Sequence, residues 1–81
     1  MNIKILGTGC AKCKALEAVT RDAVKELGIE AEIFKINELQ QIMAYPITMT
    51  PALVINEKVV VSGKVPPKYE MISLLRKISA N

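Results

Sequence analysis

The strongest constraint on the fold is a connection of two residues, Asn56-Glu57, between two β-branched, apolar runs. The first run is Ala52–Ile55 and the second covers residues 58–61. Strands joined by so short a turn can only pair antiparallel, because a parallel pair needs a crossover of a dozen or more residues. The sequence therefore predicts a β-hairpin in the second half of the chain.

The first half of the chain has the pattern of a parallel crossover. Short apolar runs at 3–6 and 31–36 are predicted to be strands. Between them, residues 10–27 have helical periodicity, and Gly28 stands where a helix is expected to stop. A strand–helix–strand unit of this kind pairs its strands in parallel through a right-handed connection. The predicted buried stripe of the helix consists of Cys13, Leu16, Thr20, Ala23 and Leu27.

A second, shorter helix is predicted after the second strand. Asn37 is a favourable N-cap residue, and Gln40 three positions later fits a capping box. Pro46 would end the helix, because proline removes a backbone donor and clashes with the preceding turn. We expect the buried stripe of this helix to consist of Leu39, Ile42 and Met43.

The last helix is predicted to open with Pro66-Pro67, because proline is tolerated in a first turn, and to bury Met71, Leu74, Leu75 and Ile78. The complete order is β-α-β-α-β-β-α. It predicts an α/β fold with a central mixed four-stranded sheet flanked by three helices on both faces. A length of 81 residues fits one domain over residues 1–81.

Composition argues against several classes of partner. The net charge of +3 is small, and Lys and Arg occur singly rather than in a basic patch, so no nucleic-acid partner is expected. No apolar run reaches the length that crosses a bilayer, and the apolar stretch at the N-terminus is too short for a secretory signal. We therefore expect a cytoplasmic protein with no membrane partner, and we take a monomer as the default state.

Cys10 and Cys13 are the candidate reactive residues. They lie at the predicted start of the first helix, one turn apart, so their β carbons are expected within about 5 Å, close enough for a disulfide. The helix dipole, unpaired N–H groups and the charges of Lys12 and Lys14 should lower the pKa of Cys10. Cys10 is expected to be the exposed attacking thiolate, and Cys13, facing inward, to resolve the mixed disulfide.

Two other uses of the cysteine pair remain open. A structural disulfide would close a loop of only four residues, for which the chain-entropy model gives only about 2 kcal/mol. Alternatively, two thiolates suit a soft ion such as Cu(I), so the pair could form a metal-binding module. The sequence contains no His, which removes the commonest metal ligand and any Cys–His catalytic pair.

Two segments together resemble the thioredoxin/glutaredoxin superfamily. The first is Gly-Cys-Ala-Lys-Cys-Lys at 9–14, and the second is Thr-Pro-Ala-Leu-Val-Ile-Asn at 50–56 with Val-Val-Val-Ser-Gly at 59–63. The chain is most similar to the small thioredoxin-like redox-active disulfide proteins. That resemblance implies a thiol–disulfide oxidoreductase that acts on partner proteins, needs no cofactor and is reduced by an upstream thiol reductase.

The resemblance also implies a substrate-binding role for Thr50 and Pro51. In the superfamily the proline before the third strand is cis and faces the cysteine pair, and Pro51 matches it. The backbone of Thr50 would pair with an extended substrate segment beside Cys10. An ordinary trans proline that starts a strand is the alternative for Pro51.

The first 36 residues also look like a heavy-metal-associated domain, because a Gly-x-Gly-Cys-x-x-Cys loop lies between a strand and a helix. That fold continues with a third strand, whereas a helix is predicted here from Asn37.

Each of three further side chains has two possible roles. Tyr45 and Met49 either line a substrate groove or pack on the sheet, and Tyr69 belongs either to the core or to its rim.

Overall fold

The computed structural model describes residues 1–80. Its seven elements follow the predicted order, which confirms the α/β fold class. The strands are β1 (Asn2–Leu6), β2 (Glu32–Ile36), β3 (Ala52–Ile55) and β4 (Lys58–Ser62), and the helices are α1 (Ala11–Leu27), α2 (Leu39–Met43) and α3 (Lys68–Ser79). None of these helices is both long and apolar enough to cross a bilayer.

The four strands form one mixed sheet in the order β2-β1-β3-β4. β1 pairs with β2 in parallel, and Ile3 lies opposite Ile33. β1 also pairs antiparallel with β3, so that Leu6 lies opposite Ala52. β3 and β4 form the predicted antiparallel hairpin, with an irregular register between Leu53 and Val54. β1 is therefore a central strand, and the chain passes directly from its end into the loop that carries the cysteines.

The larger core lies between the sheet and the pair of helices α1 and α3. Side chains alternate between the two faces of a strand, and Ile3 and Ile5 of β1 both point to this side. Thr20 of α1 is buried as well, and its hydroxyl donates to the carbonyl of Leu16 at 2.7 Å. The core residues are Ile3, Ile5, Leu16, Ala23, Leu53, Ile55, Val61, Met71 and Leu75.

The opposite face of the sheet carries a smaller cluster under α2. Its buried members are Leu6, Ile42, Ala52 and Val54. Because both faces of β3 are covered, all four residues of that strand are buried. Tyr45 packs against this cluster, and its outer side lines an open depression together with Lys4 and Glu57.

The prediction for α2 was wrong in two respects. Only Ile42 is buried, whereas Leu39 is 65% exposed and Met43 is 71% exposed. A helix of five residues presents one side chain to the sheet, and residues 39 and 43, four apart, share a different side of it. The N-cap is Glu38 rather than Asn37, and no side chain caps the helix, so the predicted capping box with Gln40 does not form.

The ends of the longer helices agree more closely with the sequence. α1 ends at Gly28, which has φ +65° and donates its N–H to the carbonyls of Val24 (3.0 Å) and Lys25 (3.2 Å). α3 begins after the two prolines rather than with them, because Pro67 is an extended N-cap residue with ψ 162°. Pro66 precedes another proline, a position that disfavours helical geometry.

The turn between β3 and β4 confirms the predicted two-residue hairpin. Asn56 and Glu57 have φ values of 50° and 68°, the left-handed region that a type I′ turn requires at both positions. The backbone N–H of Asn56 donates to the carbonyl of Asn2 at 2.8 Å. Glu57 pairs with Lys4 at 2.5 Å, and Lys4 also donates to the Tyr45 hydroxyl at 2.8 Å. These contacts fasten the turn to the central strand.

Candidate active site

The two cysteines lie where the chain leaves the central strand and enters the first helix. Cys10 is the N-cap of α1, has extended backbone geometry (φ −70°, ψ 170°) and is exposed. Cys13, in the first turn of α1, is only 6% exposed. Both thiols are free. The predicted contrast between an exposed first cysteine and an inward-facing second one is therefore present in the structure.

Hydrogen bonds to the sulfur lower the pKa of Cys10 below that of an ordinary cysteine. The largest cause is a hydrogen bond from the Cys13 side chain, followed by one from the Cys13 backbone N–H, which lies 3.3 Å from Cys10 Sγ. Desolvation opposes the shift, and the backbone N–H of Lys12 adds a smaller lowering effect. The charges of Lys12 and Lys14, which the sequence analysis invoked, are not among the causes, and both residues are exposed.

The Cys13 sulfur lies against the backbone at the end of β1. A β carbon at Gly7 would overlap Cys13 Sγ and lie 3.1 Å from Cys13 Cβ. The N–H of Gly7 donates to the carbonyl of Ile36 at 3.0 Å, which extends the pairing of β1 with β2. Sequence reasoning placed Gly7 in a loop and missed this contact.

A cavity of about 100 Å³ opens beside Cys13, between β1, α1 and the end of β2. Glu17 lies in its wall, accepts a hydrogen bond from Arg21 Nε at 3.0 Å and lies 3.6 Å from Lys35 Nζ. The bond from Arg21 is the main cause that holds the pKa of Glu17 below its usual range. Sequence analysis did not single out Glu17 or Lys35. The lining residues are Ile5, Gly7, Gly9, Cys13, Lys14, Glu17, Lys35 and Asn37.

The Thr50–Pro51 peptide bond is cis, and it lies at the same end of the sheet as the cysteine loop. Pro51 is fully buried and directly precedes Ala52, which lies opposite Leu6 at the end of β1. Thr50 is exposed. The carbonyl of Pro51 accepts the Gly63 N–H at 2.7 Å, so the segment before β3 is fastened to the end of β4.

An open groove of about 210 Å³ adjoins Thr50. Met49 lines it and is 62% exposed, together with the exposed Leu39 and Met43 of α2. Met49 thus lines a groove. Tyr69 of α3 is 70% exposed, so it belongs to the rim of the core rather than to the core itself. The groove is lined by Leu39, Ile42, Met43, Ile47, Thr48, Met49 and Thr50.

The fold differs from that of a heavy-metal-associated domain. Within residues 1–80, no group of three or more His, Cys, Asp or Glu side chains is placed to hold a metal ion. The second strand is followed by α2 rather than by the third strand of a heavy-metal-associated domain. What the site brings together is two thiols, of which one is exposed and one is buried.

Comparison with known proteins gives concordant results. The sequence model of a family described as thioredoxin domain matches residues 1–76. A protein named thioredoxin from Methanothermobacter thermautotrophicus is 45% identical over 75 residues, which cover 93% of this chain and 97% of that protein. Another protein of that name, from Methanocaldococcus jannaschii, is 38% identical over 69 residues, which cover 85% of this chain and 79% of that protein.

Solved structures are similar in fold. A chloroplastic thioredoxin z superposes with a TM-score of 0.71 at 19% identity, over 99% of this chain and 79% of that one. Thioredoxin 1 from the thermophilic eubacterium Thermosipho africanus superposes with a TM-score of 0.58 at 20% identity, over the full length of both chains. At such low identity these likenesses support the fold alone.

Proposed function

Because the chain belongs to the thioredoxin family, it is a thiol–disulfide oxidoreductase that acts on protein disulfides, and we propose that Cys10 and Cys13 carry out the exchange. The observation that carries this assignment is the hydrogen-bonded pair at the start of α1, in which an exposed sulfur with a lowered pKa contacts a buried one. The thiolate is the nucleophile in disulfide exchange, so the first sulfur is the better attacking group.

The reaction proceeds in two exchange steps. The Cys10 thiolate attacks one sulfur of the substrate disulfide, whose S–S bond breaks with the electron pair on the leaving sulfur. A mixed disulfide between Cys10 and the substrate results. Cys13 then loses its proton and attacks the Cys10 sulfur, which releases the second substrate thiolate. The substrate gains two electrons, and the protein is left with a Cys10–Cys13 disulfide.

Thr50 and Pro51 are proposed to hold the substrate next to Cys10. Thr50 is exposed, and its backbone would pair with an extended segment of the partner, while Pro51 would anchor the turn that presents it. The apolar groove that continues from Thr50 supports this role, because an extended segment that pairs there would reach Met49 and α2.

We further propose that the protein works as a monomer in the cytoplasm and that an upstream thiol reductase returns its disulfide to the dithiol. The cytosol keeps thiols reduced, and cysteine pairs in cytosolic proteins are usually catalytic or redox-sensing. The exchange needs no cofactor, because electrons pass between sulfur atoms only.

The test uses insulin as a protein disulfide probe. The variant Cys13→Ser should accumulate a mixed disulfide between Cys10 and insulin, visible by mass spectrometry and reversed by dithiothreitol, because the resolving thiol is missing. Cys10→Ser should form no such complex and should lose at least about 99% of the reductase activity. Full activity in both single variants would exclude the proposed pair.

A further inference from the structure

Gly7 is in close contact with the resolving cysteine. A β carbon built at residue 7 would overlap Cys13 Sγ, well inside the sum of the two van der Waals radii, and would lie 3.1 Å from Cys13 Cβ. Ordinary contacts between such atoms are about 3.5–4 Å. Gly9, Gly28 and Gly63 have positive φ values, whereas Gly7 is not among the residues with that geometry. The space taken by the Cys13 sulfur, rather than the backbone conformation, excludes a side chain here.

The Cys13 sulfur could avoid such a side chain only by rotation about χ1, since the Cα and Cβ atoms of Cys13 are held in the first turn of α1. In its present position the sulfur is buried and hydrogen-bonds to the Cys10 sulfur. A rotation that relieved the contact with residue 7 would therefore also move the sulfur away from its hydrogen-bond partner.

We infer that Gly7 is a positioning residue for disulfide exchange: the missing side chain lets the Cys13 sulfur rest against the end of β1, within reach of Cys10. This inference rests on the proposed roles of the two cysteines. A methyl group at residue 7 would displace the sulfur from that position. Two measurable properties would then change, namely the reactivity of Cys10, which loses a hydrogen-bond donor, and the rate at which Cys13 attacks the mixed disulfide.

The experiment follows the reaction of the reduced protein with 5,5′-dithiobis(2-nitrobenzoate), which separates the two steps. Attack by Cys10 releases one thionitrobenzoate in a bimolecular phase, and attack by Cys13 releases the second in a unimolecular phase. Gly7→Ala is expected to slow the second phase by about tenfold to a hundredfold, the range for a reacting atom misplaced by about 1 Å. The pKa of Cys10, read from the pH dependence of the first phase, is expected to rise.

Gly28→Ala is the matched control. Gly28 has φ +65°, and a β carbon at this position would have no neighbouring atom within 4 Å, so this variant strains the end of α1 without touching either thiol. It should leave the second phase and the pKa of Cys10 unchanged. Equal changes in both variants would show general loosening of the fold and would overturn the inference, as would wild-type behaviour of Gly7→Ala.

The double variant Gly7→Ala/Cys13→Ala covers the case in which Gly7→Ala does not fold. Removal of the sulfur leaves only the 3.1 Å approach of two β carbons, which needs a shift of a few tenths of an ångström. If the double variant folds and the single one does not, the sulfur contact is the cause, as inferred. If neither folds, the inference is wrong. Failure of the proposed function itself has a different signature, since the wild-type protein would then release no second thionitrobenzoate.

Discussion

The reactivity of Cys10 is set by hydrogen bonds from one neighbouring residue. The Cys13 side chain and backbone N–H are the two largest causes of the lowered pKa. Because the thiolate is the reactive form, alkylation of Cys10 by iodoacetamide should reach its plateau rate at a lower pH than alkylation of free cysteine. Cys13→Ala should move the inflection toward the ordinary cysteine value, because the largest cause is removed. The measurement is the alkylation rate across pH, followed by mass spectrometry.

Lys12→Gln provides the control for that prediction. The substitution removes a charge but keeps the backbone N–H that contributes to the lowered pKa of Cys10. The inflection should therefore stay where it is in the wild-type protein. A shift as large as that of Cys13→Ala would mean that lysine charges, and not hydrogen bonds, make the Cys10 thiol acidic.

At the scale of residues, sequence reasoning succeeded where the spacing of residues along the chain determines which of them are exposed or buried. The Cys-x-x-Cys spacing and the helical pattern after it predicted an exposed Cys10 and a buried Cys13. Gly7 was missed because its contact with Cys13 depends on the angle at which α1 leaves β1. Glu17 lies one turn after Cys13 on α1, so helical spacing alone could have placed it beside the cavity, whereas its pairing with Lys35 of β2 is a contact that no local pattern encodes.

At the scale of elements, the turn between β3 and β4 is held by the side chain of Asn56. Its Oδ1 accepts the backbone N–H of Asn2 at 3.0 Å, and its φ is 50°. Asn56→Ala should destabilise the protein by about 2 kcal/mol, because alanine in the left-handed region costs about 1 kcal/mol and the lost hydrogen bond about 1 kcal/mol more. Urea-induced unfolding, with an unchanged dependence on urea concentration, measures the difference.

Asn56→Gly separates the two contributions. Glycine accepts the left-handed conformation at φ 50° without strain but has no side chain to accept the Asn2 N–H. Its destabilisation should therefore be about half that of Asn56→Ala, near 1 kcal/mol. Equal losses in the two variants would show that backbone strain makes no difference at this position.

Sequence predicted best those elements whose ends are fixed by a particular residue or by a short connection. Gly28 ends α1 in the left-handed conformation, and the two-residue spacing permits only a hairpin between β3 and β4. α2 was predicted less well because one turn of helix is too short for periodicity to indicate which side faces the sheet. Asn37 has the chemistry of a cap, but the helix begins one residue later, after Glu38.

At the scale of the whole molecule, the two faces of the sheet are covered unequally. α1 and α3 together bury one face, whereas α2, with five residues, protects only part of the other. Connection lengths predicted the mixed sheet, since they decide which strands can be parallel. They could not predict how much of each face a helix covers, because that depends on the packing of complete elements. The exposed Leu39 and Met43 are a consequence of this incomplete cover.

The groove beside Thr50 should therefore matter for protein substrates but not for small disulfides. The polar substitutions Leu39→Gln and Met43→Gln preserve approximate size while removing apolar surface that an extended partner segment would cover. Partial burial of one such side chain contributes about 1 kcal/mol, so each variant should lower kcat/KM for insulin reduction by about fivefold. The rate with 5,5′-dithiobis(2-nitrobenzoate) should stay constant, because that molecule has no extended peptide segment to lie along α2.

Tyr69→Gln is the control for an equally exposed side chain outside the groove. Tyr69 is as exposed as Met43, at 70%, but it lies in a different surface depression with Val60 and Lys64. Its substitution should change neither rate. If Tyr69→Gln lowered insulin reduction as much as Met43→Gln, exposed apolar area anywhere on the molecule would account for the effect. If insulin and the small disulfide slowed equally in the α2 variants, the loss would lie in the dithiol chemistry, and the groove would have no part in substrate binding.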